Sequence, residues 1–419
     1  MRTVRMLMMM NVLGLLSGCN AGTAHDPGQN NQTSDAAVID AAPAEEASVV
    51  DAAPPAVDAS VVPDAAPPLC VDHCENGILD CGEDDIDCGG ECSACAPEML
   101  WGAGADGKHP SVLAVSPNRV LVAFGRHDRS TPIQYSCFDG STWTPLADAT
   151  AANSWRPNPV ADSAGAIHLA WNAYVGAGPQ SVYYSTYSGT CAGGAWSDPE
   201  LVSHGASTTF SSTEPCIEID ENDTIWIGWS QARGDAITGV SCTDNADCVT
   251  GLGADYYCRS QKCWPYYDIY VSRRVAGVWE TPSNLTSGVL GYHSHLALAV
   301  VRSDLAYATW MKGDGTVKIW WSKWDGATWS APASTTLGLQ FSEVVADEDY
   351  VHLLVNGSSR YRRKAVGGQW DPAISLGSGA QDFPDLALDD TGVLHAVWNG
   401  GGQIMYRVGD AATGTWPDP

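Results

Sequence analysis

The chain has 419 residues, 44% of them hydrophobic, with 49 acidic against 21 basic side chains and a formal net charge of -28. Such acidity excludes nucleic acid and anionic lipid surfaces as partners, because both repel a polyanion. The length allows two or three domains, but a recurring pattern assigns most of the chain to one all-β unit.

At the start, Arg2 and Arg5 precede an apolar run, Met6–Leu16, too short to span a bilayer, so residues 1–18 read as an export signal. The run ends in Leu16-Ser17-Gly18-Cys19, which resembles the lipobox of bacterial lipoproteins. That resemblance implies cleavage before Cys19, acylation of Cys19 and anchoring to a membrane by lipid. Asn20 stands where an aspartate commonly retains such proteins at the inner membrane, so the expected location is the outer membrane or cell surface of a Gram-negative bacterium. Residues 19–68 carry that cysteine and then an Ala/Pro/Asp-rich stretch without one aromatic side chain. It buries too little apolar surface to offset its conformational entropy, so a disordered tether is expected. From Asn20 to Gly107 there are 18 acidic residues and no lysine or arginine, which makes this stalk self-repelling.

Within residues 69–96 lie Cys70, Cys74, Cys81, Cys88, Cys92 and Cys95, an even number in an exported chain and therefore three expected disulfides. The segment resembles a small acidic cysteine module of bacterial extracellular proteins. Asp80, Glu83, Asp85 and Asp87 are hard oxygen donors suited to calcium, but their spacing is not that of an EF-hand. A disulfide spacer without a cofactor is the reading, with calcium as its alternative.

From residue 97 to 419 a tryptophan followed by proline recurs: Trp143 to Pro145, Trp196 to Pro199, Trp279 to Pro282, Trp329 to Pro332, Trp370 to Pro372 and Trp416 to Pro419. The intervals are 53, 83, 50, 41 and 46 residues. Repeats of roughly 40–50 residues with short alternating strands point to a β-propeller, one four-stranded blade per repeat. Six blades are expected. Their inner strands begin near Pro110, Pro157, Pro215, Ser294, Ser342 and Pro384, and their second strands near Ile167, Ile225, Leu305, Val351 and Leu394. Residues 97–101 would complete the last blade. The interval of 83 holds an insertion, residues 240–264, with Cys242, Cys248, Cys258 and Cys263 as two disulfides between the second and third strands of blade three. Cys137 and Cys191 are expected to pair, leaving Cys216 single.

Two of the repeats, Ser136–Trp143 and Ser322–Trp329, are similar to the Asp-box of sialidase-like, or BNR-repeat, propellers, with the aspartate one place late. The resemblance implies a fold and not an activity. It also implies that the Asp139 and Asp325 hairpins are structural and lie away from any active site. His168, His352 and His395 share one place in the repeat and read as architecture.

Function is expected on the face formed by the starts of the inner strands and the loops between second and third strands. Those places supply His109, Arg126, Arg156, Glu214, Arg233, His293, His295, Glu343 and Asp385, and the insertion adds Trp264. Sialidase chemistry, as the family implies it, requires three arginines on a carboxylate, a tyrosine nucleophile paired with a glutamate, and an aspartic acid. The family's Arg-Ile-Pro motif is replaced here by Lys108-His109-Pro110, and no tyrosine matches the nucleophile's motif. The reading is therefore a surface binding or adhesion module for carbohydrate or protein ligands. The alternative is a glycoside hydrolase drawing two carboxylates from Glu214, Glu343 and Asp385.

Overall fold

The computed structural model describes residues 107–417, apart from 117–118, 127–130, 175–177, 192, 204–209, 235–239, 314–316, 338–340, 357–359, 378–380, 390 and 401–402. The export signal, Cys19, the tether, the six-cysteine module with its calcium alternative, and the closing segment 97–101 lie outside the described residues. Among the described residues no helix is long and apolar enough to cross a membrane.

The chain is all-β and folds as successive antiparallel meanders in a β-propeller-like ring. The first meander is β1 (Gly107–Ser116), β2 (Arg119–Arg126), β3 (Gln134–Phe138) and β4 (Ala147–Asp148). The second is β5 (Ser154–Ala161), β6 (Ile167–Tyr174), β7 (Gln180–Ser188), β8 (Ala195–Trp196) and β9 (Glu200–Leu201). The third begins with β10 (Ser212–Ile219) and β11 (Ile225–Ala232). It is then interrupted by the insertion, a helix α1 (Asn245–Leu252) and a hairpin of β12 (Tyr256–Arg259) and β13 (Lys262–Pro265). It resumes with β14 (Tyr267–Val275), β15 (Val278–Trp279) and β16 (Ser283–Asn284). Next come β17 (Tyr292–Arg302), β18 (Leu305–Gly313), β19 (Lys318–Trp324) and β20 (Ala333–Ser334), then β21 (Ser342–Ala346), β22 (Tyr350–Val355), β23 (Arg360–Ala365) and β24 (Ile374–Ser375). The last described meander is β25 (Gln381–Leu388), β26 (Val393–Gly400) and β27 (Gln403–Asp410). First strands neighbour one another in chain order, β1 beside β5, then β10, β17, β21 and β25.

The recurring tryptophan has a recurring job: it packs back on the preceding meander. Trp196 lies 5.6 Å from Tyr135, Trp279 5.2 Å from Tyr184, Trp329 6.3 Å from Trp226, Trp370 6.1 Å from Trp321 and Trp416 5.0 Å from Tyr361, all edge-on. A large ring in edge-to-face contact contributes both buried area and quadrupole attraction, so one residue type joins five successive pairs of meanders. The third-strand serine supports it. Ser136, Ser185, Ser272 and Ser322 each donate to the carbonyl one residue past the tryptophan, at Thr144, Ser197, Glu280 and Ser330. In the hairpins between, Asp139 accepts from the Ser141 and Thr142 amides and Asp325 from the Ala327 and Thr328 amides. Gly140 and Gly326 supply the left-handed turn residues, at φ 96° and 95°.

The three repeated histidines are architectural. His168, His352 and His395 meet the hydroxyls of Tyr184, Tyr361 and Tyr406 through Nδ1, at 2.6, 2.7 and 2.8 Å. Their Nε2 atoms face Asp162, Asp347 and Asp389, whose carboxylates also cap the turn between first and second strands. In the third meander Trp226 takes this place and donates to Asp220.

Cys137 and Cys191 form the expected disulfide between adjacent meanders, with Cα atoms 5.4 Å apart. Replacing both by alanine is expected to cost about 2–4 kcal/mol, read as a fall in Tm by calorimetry, since the bond closes a loop of 54 residues. Cys216 corrects the sequence reading. It is not single but disulfide-bonded, and no described cysteine is free.

Candidate functional site

The site begins as a fault in the inner strands. Their ladders slip between Lys108 and Ser111 in β1, Trp155 and Asn158 in β5, Thr213 and Cys216 in β10, Ser294 and Ala297 in β17, and Asp382 and Asp385 in β25. Each slip is a bulge, and four of the bulged residues, none a glycine, have left-handed backbones: His109 (φ 51°), Arg156 (56°), Glu214 (58°) and His295 (53°). Bulky residues rarely adopt this conformation, and where they do the strain commonly serves a site. Proline follows at Pro110, Pro157 and Pro215, where an interrupted ladder requires no amide donor. In β21 Glu343 keeps regular register with Leu354.

Three of the bulged residues meet. Arg156 Nη1 lies 3.0 Å from Glu214 Oε1, the His295 amide donates to Glu214 Oε2 at 2.9 Å, and His295 Nδ1 stands 3.7 Å from Oε1. The side chains keep 21%, 15% and 16% of their surface open. Burial pushes the Glu214 carboxyl up, but His295 and Arg156, with the His295 amide, outweigh it and bring the pKa down to about 2. Burial holds His295 below the usual histidine range, against the pull of the Glu214 charge. Its ring leans on Phe341 at 4.7 Å.

Aromatic side chains wall this cluster. Tyr292 begins β17, where its ring lies 5.3 Å from Tyr267 and 6.0 Å from Tyr257 of the insertion, while Tyr257 stacks on Tyr266 at 5.0 Å. Burial first, and then the Glu214 charge, raises the hydroxyls of Tyr267, to about 12, and of Tyr292. On the β5 side Trp155 packs on Tyr174 at 5.0 Å.

The insertion is held by three devices. Disulfides Cys242–Cys258 and Cys248–Cys263 staple it, and Asp244 with Asp247 forms a capping box on α1. Arg233 then clamps its root, donating through Nε and Nη2 to Asp268 at 3.0 and 2.6 Å and to the Val289 carbonyl at 2.9 Å, with Asp255 at 3.8 Å. Arg233 is thus committed to structure. Trp264 is half-buried, donates to the Arg259 carbonyl and faces Tyr257 across the β12–β13 ladder. As its direct cross-strand partner, it lies on the same face of the hairpin as Tyr257.

The other expected residues are spread. His293 is buried, accepts at Nδ1 from Trp310 Nε1 at 3.0 Å and faces the Val289 carbonyl through Nε2. Burial lowers its pKa to about 4. His109 is buried on β1, and Arg126 ends β2 with its side chain outside the described residues. Glu343 is buried on β21. Asp385 is half-buried on β25, accepts from the Leu386 amide at 2.9 Å and is pushed up to about 7 by burial. Sequence reasoning passed over Tyr174, Tyr257 and Tyr292. Among the described residues Cys242, Cys248 and Cys263 are the group spaced for a metal ion, and all three are oxidised to disulfides.

No protein-family model matches the chain, and no curated protein matches it by sequence. Among solved structures it is similar to a polysaccharide lyase, at 8% identity over 72% of this chain and 77% of that one, TM-score 0.47. It is also similar to a Dyadobacter fermentans protein of unknown function, at 12% identity over 72% and 93%, TM-score 0.49. A third is an α-L-arabinanase of Penicillium chrysogenum complexed with arabinobiose, at 11% identity over 71% and 91%, TM-score 0.42.

Proposed function

We propose that the chain is a carbohydrate-binding propeller of the cell surface, anchored by a lipid on Cys19 at the outer membrane. The observation that carries this reading is the meeting of Arg156, Glu214 and His295 beside Tyr257, Tyr267 and Tyr292. A sugar ring has hydroxyls for the polar trio and apolar C–H faces for the tyrosine rings, and few other ligands require both at once. The six meanders are six blades, the last completed by residues 97–101, which removes an open sheet edge. Residues 19–68 and the disulfide spacer 69–96 hold the propeller clear of the bilayer, and a protein ligand on the same face is the competing occupant.

The test is mass spectrometry of a mixed glycan pool after incubation with the full chain in detergent micelles. Depletion of some glycans without new products, weakened about tenfold or more by Tyr292→Ala, is the expected result. Absence of depletion and of products turns the search to protein ligands.

Glycoside hydrolysis is the second reading, favoured by one observation. Glu214 stays ionised down to about pH 2 while Asp385 holds its proton to about 7, the split that an acid and a base require. New cleavage products that vanish in Asp385→Asn would replace binding by catalysis.

A further inference from the structure

Resting on the carbohydrate reading, we infer that the Arg156–Glu214 pair selects uncharged sugars through their neighbouring hydroxyls and rejects sugars that carry a carboxylate. The first ground is charge balance. An arginine that grips a carboxylated sugar must offer an unopposed guanidinium, but Arg156 has Glu214 3.0 Å away, and the two side chains keep 21% and 15% of their surface open. A uronate or sialate carboxylate at Arg156 would sit against the Glu214 carboxylate, in a half-buried place where like charges are poorly screened.

Among the described residues the nearby cations have partners of their own, and Arg259 hydrogen-bonds Tyr257. Arg233 is spent on Asp268 and the Val289 carbonyl. His295 is turned to Glu214 itself, its amide at 2.9 Å and its ring Nδ1 at 3.7 Å. Lys312 has its ammonium 4.8 Å over the Trp320 ring.

A hydroxyl fits where a carboxylate does not, because it donates and accepts at once. One hydroxyl accepts from the Arg156 guanidinium while its neighbour donates to the Glu214 carboxylate, so a pair of adjacent hydroxyls meets both charges without adding one. The three bulges hold these groups on successive strands in fixed backbone positions, so the hydroxyl spacing is read by rigid elements rather than by a loop. Tyr267 and Tyr292, edge-to-face at 5.3 Å, then supply the apolar side of the ring.

The experiment is calorimetric titration of the full chain with neutral gluco-, galacto- and arabino-oligosaccharides and with oligoglucuronates and oligogalacturonates of matched length, at low and high salt. The expected result is binding of at least one neutral series with about tenfold or greater preference over any uronate. The preference should persist at high salt, which screens the chain's long-range net charge and leaves the local pair intact. Glu214→Gln, which keeps the shape and frees the guanidinium, is expected to shift the preference toward uronates by about tenfold or more. Should that variant not fold, Arg156→Gln with Glu214→Gln removes both charges together and is expected to lose neutral-sugar affinity without gaining uronate affinity. Uronates bound as well as neutral sugars by the unaltered chain, or a preference that disappears at high salt, overturns this inference alone. Binding of no glycan in either class overturns it together with the carbohydrate reading.

Discussion

Glu214→Gln is expected to lower stability by about 2–3 kcal/mol at neutral pH and to remove the steepest acid limb of the unfolding curve. Glutamine keeps the volume and can still accept from the His295 amide, but it leaves Arg156 half-buried opposite an uncharged amide. Removing one partner costs more than the pair contributes, because the remaining charge stays desolvated. The pH dependence follows from the sign of the shift. The carboxyl, ordinarily near 4.5, is depressed to about 2 in the fold. Its contribution is therefore complete above about pH 4.5 and is lost as pH falls through about 2, since the unfolded chain takes up the proton first. The difference corresponds to about 3 kcal/mol across that window. Denaturant unfolding followed by tryptophan fluorescence from pH 5 down to 2 reads it. A variant that keeps the same acid slope as the unaltered chain would show that Glu214 does not carry it.

The propeller was legible because its repeat is a packing device: the tryptophan that joins neighbouring meanders is large, rare and periodically spaced, and period-two alternation marked the strands between. The site was legible only as a set of strand starts. Alternation puts His293 and His295 on one side of β17, yet the bulge between Ser294 and Ala297 breaks the period. His293 therefore turns to Trp310 while His295 joins Glu214. The prolines after His109, Arg156 and Glu214 were the signal for those bulges, and left-handed geometry at bulky residues is not written in composition. Tyr292 and Tyr257 escaped for another reason. A tyrosine at a strand start reads as core, and the place of Tyr257 is set by two disulfides whose pairing the spacing left open. Cys216 shows the same limit, since its disulfide could not be found by pairing cysteines of neighbouring repeats.

Away from the site, opposing titrations are expected to give the fold a stability optimum between acid and alkaline losses. His293 and His352 are fully buried, and burial lowers each from the usual 6.5 to about 4. The unfolded chain binds those protons first as pH falls, so stability is intact above about 6.5 and declines toward 4, by at most about 3 kcal/mol per histidine. His352→Gln, which retains an acceptor for the Tyr361 hydroxyl, is expected to flatten that decline. Glu218 on β10 works from the other side. Among the described residues no cation faces it, and burial raises its carboxyl from 4.5 to about 8. The unfolded chain releases this proton above 4.5 while the folded chain holds it, so stability falls as pH rises toward 8. Glu218→Gln removes the cost of an ionisable group in a poor place. Because the residue is half-buried and water reaches part of it, the expected gain is about 1–2 kcal/mol at pH 8 and close to none at pH 5. Chemical denaturation at the two pH values checks this. A gain equal at both would assign the effect to packing, because only a shifted proton equilibrium makes it grow with pH.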